Sequence, residues 1–418
     1  MIDAIRGDNP KAFTRKRKTD PLGLLLQTLA KRGKTQRAEV RDFLGSLGGK
    51  EMPDISDVGF FRARMKFSPE AMLRMSKGFL RSEEGKRKLR RLRGFRILAV
   101  DGSDLVLPSN TKRERFATPT KGNGEPEDMP VMCKLSALTD CLNGLILDLL
   151  VDPAKHSERD HAKRMAEAIP EDMREDAVIV MDRGYYAFWL AVLLSDLHLH
   201  FVFRLSSYML KEHCSGMKPG EEKTVEVRLT KGQLAVMHSR GKETAGLEGR
   251  VLKARICCIW IGETAEFLLT DLSAEEMPLA DMAELYHLRW NIETAFRTLK
   301  ENLRMNEYSG RRERLILQDI YCSVWLLNLL SLYVADLGHE TAKGRKHRTR
   351  INMNNAIGIL KTMLVRALFH PCRNERKRAE ERIRKEILAY VCPVRPGRSY
   401  SRIHACKNRS RMSYRSNF

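Results

Sequence analysis

The segment at 284–301, ELYHLRWNIETAFRTLKE, combines polar and apolar residues at the spacing of an α-helix. One face would carry five polar residues spaced by 3, 4, 4 and 3 positions: Tyr286, Arg289, Glu293, Arg297 and Lys300. An apolar stripe with the same spacing lies about 100° away around the axis: Leu285, Leu288, Ile292, Phe296 and Leu299. The segment therefore predicts a helix that buries the stripe and presents its polar face to a ligand. The pattern leaves one alternative open, an exposed face held by salt bridges between Glu293 and its neighbours.

Two aspartates directly follow short apolar runs that are typical of buried strands. Asp101 comes after Phe95–Val100, and Asp182 comes after Ala177–Met181. Functional groups in open α/β sheets commonly lie where a strand ends and opens to solvent, although a turn or cap is the alternative role for a single aspartate. Asp104 is a rival for the first position, but Asp101 is preferred because it directly ends the apolar run.

Together with Glu293, these two aspartates predict a site of three carboxylates. Carboxylates can hold two divalent cations about 4 Å apart, which is the arrangement of two-metal phosphoryl transfer. Mg²⁺ prefers oxygen ligands, so Mg²⁺ is the predicted cofactor, with Mn²⁺ as a substitute. The histidines predict no competing site, because His156 and His161 are five residues apart and fit neither H-E-x-x-H nor a zinc finger.

The elements before the polar helix follow the order strand, hairpin, helix and strand. Asn-Gly at 143–144, the favoured pair for a type I′ turn, separates the apolar segments Val131–Leu142 and Leu145–Val151. Ser157 predicts the start of a helix. The segment at 207–272 differs, because strand-like runs predict a β-rich insertion there: Gln233–His238, Val251–Ile261 and Glu266–Leu272.

These patterns predict an α/β fold whose core is a mixed sheet flanked by helices, with helical N- and C-terminal regions. Five regions result: a helical N-terminal region at 1–94, the first part of the core at 95–206, the β-rich insertion at 207–272, the second part of the core with the polar helix at 273–340, and a basic helical region with a tail at 341–418. Within the first region, apolar residues at three- and four-residue spacing predict helices at Leu22–Lys31, Arg37–Leu47 and Pro69–Leu80.

The charge of the chain is strongly positive. Its 418 residues include 75 Lys+Arg against 53 Asp+Glu, a formal net charge of +22. Much of the excess lies in three stretches without acids, 86–96, 343–350 and 395–418. Lys and Arg that contact phosphates release counterions, so double-stranded DNA is the predicted partner, and 395–418 is predicted to be a flexible arm that orders on it. A solvated charged face is the alternative for any single stretch.

A membrane protein is not predicted. The longest apolar run, Tyr321–Ala335, is interrupted by Asn328 and is shorter than the ~20 residues of a spanning helix. It therefore predicts a buried helix. Residues 1–10 show no signal peptide, and nine cysteines without a C-x-x-C pair predict a reduced, cytoplasmic protein without structural zinc.

Three motifs resemble those of a known family. Tyr286-x₂-Arg289-x₃-Glu293-x₆-Lys300 is similar to the Y-R-E-K signature of bacterial DDE transposases of the insertion-sequence-four type. The sequences DGS at 101–103 and DRGY at 182–185 resemble the first and second aspartate motifs of that family. The resemblance covers roughly 95–305 with specific motifs and is only compositional elsewhere.

The resemblance implies a ribonuclease-H-like core interrupted by an insertion. It implies that Asp101, Asp182 and Glu293 are catalytic and hold the metal ions. Tyr286, Arg289 and Lys300 would hold phosphates of the transposon end. Arg297 and Arg204 are weaker candidates for the same role. Trp260 would stack on a flipped base, with a buried core position as its alternative.

The activity implied is cut-and-paste DNA transposition. Water would cut the first strand, and the freed 3′-OH would attack the opposite strand to give a hairpin that is reopened before strand transfer. The partners implied are the transposon ends and target DNA, with a homodimer in the synaptic complex and residues 1–94 on the ends. Two alternatives stay open, a catalytically inactive DNA-binding relative that regulates transposition and a Mg²⁺-dependent nuclease without strand transfer.

Overall fold

The protein is described by a computed structural model in two compact units. The described residues are 6, 9–15, 21–31, 35–46, 56–84, 89–108, 116, 131–206, 208–239, 244, 246–341, 347–370 and 372–394. The first unit comprises Met1–Arg87, Asp104–Cys133 and Phe296–Phe418, and the second comprises Lys88–Ser103 and Lys134–Ala295. The predicted arm at 395–418 lies outside the described residues, as do 86–88 and 343–346 of the other two basic stretches.

The second unit is built on a mixed sheet of eight strands, counted over the described residues. The strands are β1 (Arg96–Val106), β2 (Met132–Asp140), β3 (Leu145–Pro153), β4 (Ala177–Met181), β5 (His200–Arg204), β6 (Glu222–Arg228), β7 (Val251–Ile261) and β8 (Thr264–Thr270). Their order across the sheet is β3-β2-β1-β4-β5-β8-β7-β6. The β1–β4 and β4–β5 pairs are parallel, whereas β5–β8, β8–β7 and β7–β6 are antiparallel.

Helices make up most of the first unit and also occur in the second. In the part of the chain that the structure describes they are α1 (Pro21–Leu29), α2 (Gln36–Ser46), α3 (Asp57–Arg64), α4 (Pro69–Glu84), α5 (Glu158–Glu167), α6 (Phe188–Asp196), α7 (Lys211–Cys214), α8 (Lys231–Ser239), α9 (Leu279–Leu288), α10 (Trp290–Arg297), α11 (Glu313–Leu337), α12 (Met353–Phe369) and α13 (Arg373–Ala389). Short 3₁₀ turns occur at Glu171–Met173 and Gly338–Glu340, and strands β9 (Thr349–Ile351) and β10 (Val391–Pro393) form a separate antiparallel pair.

The centre of the sheet has the predicted ribonuclease-H-like arrangement. All five residues of β4 are buried, as expected for a parallel strand covered on both faces. Helices α5 and α6, which follow β3 and β4 in the chain, pack their apolar residues into the core of this unit. Ser157 caps α5 as predicted, since its side chain accepts a hydrogen bond from the Asp160 N–H. The predicted fold class, a mixed α/β core, is therefore confirmed.

The hairpin between β2 and β3 is confirmed, but the predicted type I′ turn is wrong. Such a turn needs positive φ at both central residues, and of the pair at 143–144 only Gly144 has it, at 65°. The Asp140 carboxylate explains the difference, because it accepts hydrogen bonds from the Asn143 backbone N–H at 3.1 Å and from the Asn143 side-chain amide at 2.8 Å. Asp140 thus organises a four-residue loop.

The predicted strand at Gln233–His238 is also wrong, because this run lies in helix α8. Thr230 and Gln233 form a reciprocal capping box. The Thr230 N–H donates to Gln233 Oε1 at 2.9 Å, and the Gln233 N–H donates to Thr230 Oγ1 at 3.2 Å. The strands predicted around 251–261 and 266–272 are present as β7 and β8.

The first unit is organised around helix α11, against which α1 and α4 pack. By length and composition α11 could cross a membrane, but 89% of its most apolar 18-residue window is buried inside the protein. It is therefore a core helix, in agreement with the prediction for Tyr321–Ala335. A buried ion pair, Arg64 to Asp319 at 3.0 Å, joins α3 to the same helix. The predicted helices at Leu22–Lys31, Arg37–Leu47 and Pro69–Leu80 correspond to α1, α2 and α4.

Candidate active site

The two predicted aspartates lie on neighbouring parallel strands. Asp182 directly follows β4, as predicted, but Asp101 lies inside β1, because this strand continues to Val106. The register pairs Ala99 with Val180, so the same offset two residues later sets Asp101 beside Asp182. Each carboxylate accepts a hydrogen bond from the next backbone N–H in the chain, at 2.8 Å for Asp101 and 2.7 Å for Asp182.

The predicted polar helix is broken rather than continuous. Helix α9 ends at Leu288 and α10 begins at Trp290. At the break, the Arg289 N–H donates to the Tyr286 carbonyl and the Ile292 N–H donates to the Arg289 carbonyl, so both hydrogen bonds span three residues instead of the four of an α-helix. A π turn follows α10 at Thr298–Asn302. Four residues of the apolar stripe are buried as expected, whereas the fifth, Leu288, is only partly buried. The alternative of an exposed salt-bridged face is excluded for Tyr286 and Arg289, which are only 1% and 3% exposed.

The Arg289 guanidinium contacts all three predicted carboxylates. Its nitrogens lie 3.6 Å from Asp101 Oδ2, 3.9 Å from Asp182 Oδ2 and 3.0 Å from Glu293 Oε1. Three acidic side chains that are far apart in the sequence therefore converge on one point of the second unit. Since one arginine offsets only one of three negative charges, the cluster keeps a net negative charge when all three acids are ionised.

Tyr286 and Arg204 complete this cluster around Asp182. The Tyr286 hydroxyl donates to Asp182 Oδ1 at 3.1 Å, and an Arg204 nitrogen lies 3.6 Å from the same oxygen. The guanidinium carbons of Arg204 and Arg289 lie 5.8 and 5.6 Å from the centre of the Tyr286 ring, within the range of cation–π attraction. The structure therefore brings together six of the predicted site residues: Asp101, Asp182, Glu293, Tyr286, Arg289 and Arg204.

The two aspartates have opposite pKa shifts. Burial raises the pKa of Asp101 to about 6, against the opposing effects of the Gly102 N–H and Arg289, and the charges of Glu158 and Glu293 raise it further. Burial also opposes ionisation of Asp182. There, however, the Arg183 N–H, the charge of Arg289 and the Tyr286 hydroxyl outweigh burial and lower the pKa.

The sequence reasoning missed Glu266, which holds Arg204 in place. Glu266, on β8, is buried and accepts a hydrogen bond from Arg204 Nε at 3.0 Å, and other nitrogens of Arg204 and Arg183 also pair with it. The sequence did contain an indication of this role, because Glu266 directly precedes three apolar residues of a predicted strand. A charged residue that is buried in such a strand requires a partner of opposite charge.

Three further residues of the predicted site are Lys300, Arg297 and Trp260. Lys300 and Arg297 belong to the first unit, where Lys300 Nζ donates to the backbone carbonyl of Asp104 at 2.9 Å and Arg297 is exposed. Trp260, near the turn of the β7–β8 hairpin, is 59% exposed. This exposure excludes the alternative of a buried core position for Trp260.

Two histidines for which the sequence predicts no competing metal site lie together with an aspartate. Candidate ligand atoms of Asp152, His156 and His161 lie within 4.8 Å of one another. Both ring nitrogens of the buried His161 nevertheless have protein partners, the Ser136 hydroxyl at 2.7 Å and Asp152 Oδ2 at 3.0 Å. Arg164 also donates to this Asp152 oxygen, at 2.7 Å. Asp152 and His161 are thus already paired within the protein, and Arg164 supplies a positive charge beside Asp152.

The three-carboxylate cluster, by contrast, fits a divalent cation. Its acidic groups offer only oxygen atoms, which Mg²⁺ prefers. The Tyr185 hydroxyl and Arg289 Nε are two of the buried side-chain groups that have no hydrogen-bond partner in the described part of the chain. The charges of Asp101 and Asp182 both act on the Tyr185 hydroxyl. Buried polar groups are normally paired, so these two groups leave hydrogen-bonding capacity beside the carboxylates.

The arginines in the described part of the basic stretch at 86–96 make contacts within the second unit. Arg96 forms a buried ion pair with Asp140 at 2.7 Å, and Arg91 pairs with Asp176 at 2.7 Å. Arg93 pairs with Asp281 at 2.7 Å, and Arg90 contacts the Leu142 carbonyl. Arg96 and Arg90 therefore help to hold the β2–β3 loop.

Comparison with known proteins identifies the family of the chain. The profile of the transposase DDE domain matches residues 92–329, which is more than half of the chain. The protein belongs to this family of transposase DDE domains.

The proteins that are similar to the chain include a curated relative and a solved structure. The transposase InsG for insertion sequence element IS4 of Escherichia coli (strain K12) is 21% identical over 276 residues, which cover 65% of this chain and 59% of that protein. The chain thus spans about three fifths of the length of the relative. The cryo-EM structure of the piggyBac transposase synaptic complex with hairpin DNA aligns over 95% of this chain and 84% of that one, with 12% identity and a TM-score of 0.43.

Proposed function

We propose that the protein is a DNA transposase that cuts and joins the ends of an insertion sequence, with catalytic metal ions held by Asp101, Asp182 and Glu293. The observation that carries this proposal is the contact of Arg289 with all three carboxylates. Membership of the transposase DDE family and the similarity to the IS4 transposase give it independent support.

The carboxylates would act through divalent cations, Mg²⁺ or its substitute Mn²⁺. Bound there, these cations would lower the pKa of the attacking water and stabilise the leaving oxygen. Tyr286 would orient Asp182 through its hydrogen bond, and Arg204, held by Glu266, would offer a positive charge to a DNA phosphate. Arg289, Lys300 and Arg297 are proposed to bind phosphates as well, and Trp260 to stack on an unpaired base.

The proposed reaction begins with hydrolysis at the end of the element. The water oxygen attacks phosphorus, the bond from phosphorus to the 3′-oxygen breaks, and that oxygen takes a proton to become a 3′-OH. The 3′-OH then loses its proton and its oxygen attacks a phosphorus of the opposite strand. The new phosphodiester bond closes a hairpin, and the bond from that phosphorus to its former 3′-oxygen breaks, which leaves a 3′-OH on the released flanking DNA. Hydrolysis of the hairpin restores the 3′-OH for attack on target DNA.

The same proposal assigns partners and regions. Double-stranded DNA would be bound by the N-terminal helical region at 1–94 and by the basic region at 341–418. The core at 95–206 and 273–340 would carry the chemistry around the insertion at 207–272. Because two ends must be brought together, a homodimer is proposed for the synaptic complex, acting in the cytoplasm.

One assay tests this function against its two rivals. Purified protein is incubated with Mg²⁺ and DNA that carries an end of the element. Hairpins and joined products are expected. Cleavage without joining would instead indicate a nuclease, and a mobility shift without cleavage would indicate a DNA-binding relative.

Asp182→Ala is expected to abolish cleavage and leave the mobility shift nearly unchanged. The matched control is Asp176→Ala, because Asp176 precedes β4 as Asp182 follows it and is largely exposed. Asp176→Ala should retain cleavage. Wild-type cleavage by Asp182→Ala would contradict the proposed metal site.

A further inference from the structure

Glu158, the first residue of helix α5, has its carboxylate against the strand that carries Asp101. A Cβ atom at position 102 would lie 2.6 Å from Glu158 Oε1 and 2.8 Å from its Cδ. Only glycine leaves this space free, and Gly102 does not have the positive φ that would otherwise require a glycine. The glycine after Asp101 therefore makes room for an acidic side chain.

A second contact holds Glu158 in this position. Lys134, on β2, donates from Nζ to Glu158 Oε1 at 3.0 Å. The Glu158 side chain keeps 39% exposure, so an ion or water can reach it. Its charge acts on both Asp101 and Tyr185, and the buried Tyr185 hydroxyl has no hydrogen-bond partner.

We propose that Glu158 is a fourth acidic ligand of the divalent cation held at Asp101. The inference deepens the proposed function and rests on it. Mg²⁺ takes six oxygen ligands and keeps several waters, so three carboxylates leave positions to fill. Glu158 supplies a further hard oxygen beside Asp101, and the Tyr185 hydroxyl can accept a hydrogen bond from water in the same pocket. In the absence of a cation, Lys134 neutralises Glu158.

A structural role for Glu158 predicts different behaviour. As an acid in the first turn of α5, Glu158 would stabilise the positive end of the helix dipole, and its ion pair with Lys134 would be an ordinary surface contact. Neither effect requires that the carboxylate contribute to cation binding. Cation affinity therefore separates the two roles.

The test is Mn²⁺ binding to the full-length protein without DNA, measured by isothermal titration calorimetry. Glu158→Gln is expected to weaken Mn²⁺ binding by about tenfold, a typical loss when a group that supports a metal is removed. Lys134→Gln breaks the same ion pair but keeps the carboxylate, and it should bind Mn²⁺ as the wild type does. Glu167→Gln, at the other end of α5, should also do so. Wild-type affinity in Glu158→Gln, or an equal loss in Lys134→Gln, would overturn the proposal.

A second variant guards against misfolding of the first. Gly102→Ala leaves both charges in place but fills the space of the Glu158 carboxylate, so it is expected to weaken Mn²⁺ binding as well. Unchanged affinity in Gly102→Ala would overturn the proposal even if Glu158→Gln proved unstable.

Asp182→Ala distinguishes this inference from the proposed function. If Asp182→Ala loses Mn²⁺ binding while Glu158→Gln and Gly102→Ala keep it, only the role of Glu158 fails. If Asp182→Ala also binds Mn²⁺ like the wild type, the three-carboxylate metal site fails, and the role of Glu158 with it.

Discussion

The Tyr286 hydroxyl donates a hydrogen bond to Oδ1 of Asp182 across 3.1 Å. This bond joins the first residue of the Tyr-Arg-Glu-Lys series to the carboxylate that follows β4. It also helps to keep the pKa of Asp182 low, together with the Arg183 N–H and the charge of Arg289. Tyr286 therefore acts on the site through Asp182 as well as through any contact with DNA.

Tyr286→Phe is expected to slow DNA cleavage by about tenfold, because the loss of a hydrogen bond to a charged group costs roughly 1.5–3 kcal/mol before partial compensation by solvent. The ring and its cation–π contacts with Arg204 and Arg289 remain, so the thermal unfolding midpoint should change little. Single-turnover cleavage of an end-bearing DNA measures the effect. The matched control is Tyr208→Phe, at an exposed tyrosine of the same unit. Equal rates for Tyr286→Phe and the wild type would show that this bond is dispensable.

The sequence predicted well the features that depend on neighbouring residues. The apolar run Ala177–Met181 reads as a buried strand and is one, because each residue of a central parallel strand must be apolar. The 3, 4, 4, 3 spacing identified Tyr286, Arg289 and Glu293, which do converge with both aspartates. A local break at Arg289 did not destroy this convergence.

Features that depend on distant partners were less predictable. Strand β1 continues past Asp101 because neighbouring strands pair with it. The residues that follow Asp101 in the sequence do not indicate that the strand continues. Glu266 pairs with Arg204 over a separation of 62 residues, which no spacing rule reveals. The turn after β2 depends on the side chain of Asp140 rather than on Asn-Gly, so a dipeptide rule selected the right place and the wrong geometry.

Glu266→Gln is expected to destabilise the protein, because it removes the buried carboxylate that holds the guanidinium of Arg204. Breaking a buried ion pair costs about 3–5 kcal/mol, and the partial exposure of Arg204 and Arg183 reduces this to about 2 kcal/mol. The control is Glu226→Gln, whose pair with Arg228 is exposed on both sides. It should cost less than about 1 kcal/mol. Urea unfolding measures both, and equal stability of the two variants would contradict a supporting role for Glu266.

Cation binding is expected to weaken at acidic pH. Burial raises the pKa of Asp101 from 3.8 to about 6 in the cation-free protein, so protons compete with the cation below that pH. Mn²⁺ affinity should be nearly constant above about pH 7 and fall by up to about tenfold per pH unit below 6, as expected for release of one proton on binding. Calorimetry across this range tests the prediction, and an affinity that does not change with pH would contradict it.

The raised pKa of Asp101 also makes the free energy of unfolding depend on pH, and here acidic pH is favourable, whereas it weakens cation binding. Because the folded-state pKa of Asp101 lies above its ordinary value of 3.8, protonation favours the folded protein. The contribution of this group is fully present below about pH 4 and is lost as pH rises through about 6. Asp101→Asn should remove this component, which urea unfolding of the cation-free protein at pH 5 and 7 would detect as a smaller difference than in the wild type.

Trp260→Ala is expected to reduce DNA cleavage without affecting the fold. Trp260 is 59% exposed, so its removal leaves no cavity, whereas stacking on an unpaired base is worth about 1–3 kcal/mol. A loss of about tenfold in single-turnover cleavage should follow, and Trp260→Phe, which keeps an aromatic face, should recover most of it. Tyr208→Ala removes another exposed aromatic residue of the same unit and should cleave like the wild type.

A 2-aminopurine base at the end of the element should show altered fluorescence on binding to the wild type and less change with Trp260→Ala. If Trp260→Ala cleaves as fast as the wild type, the stacking role is wrong.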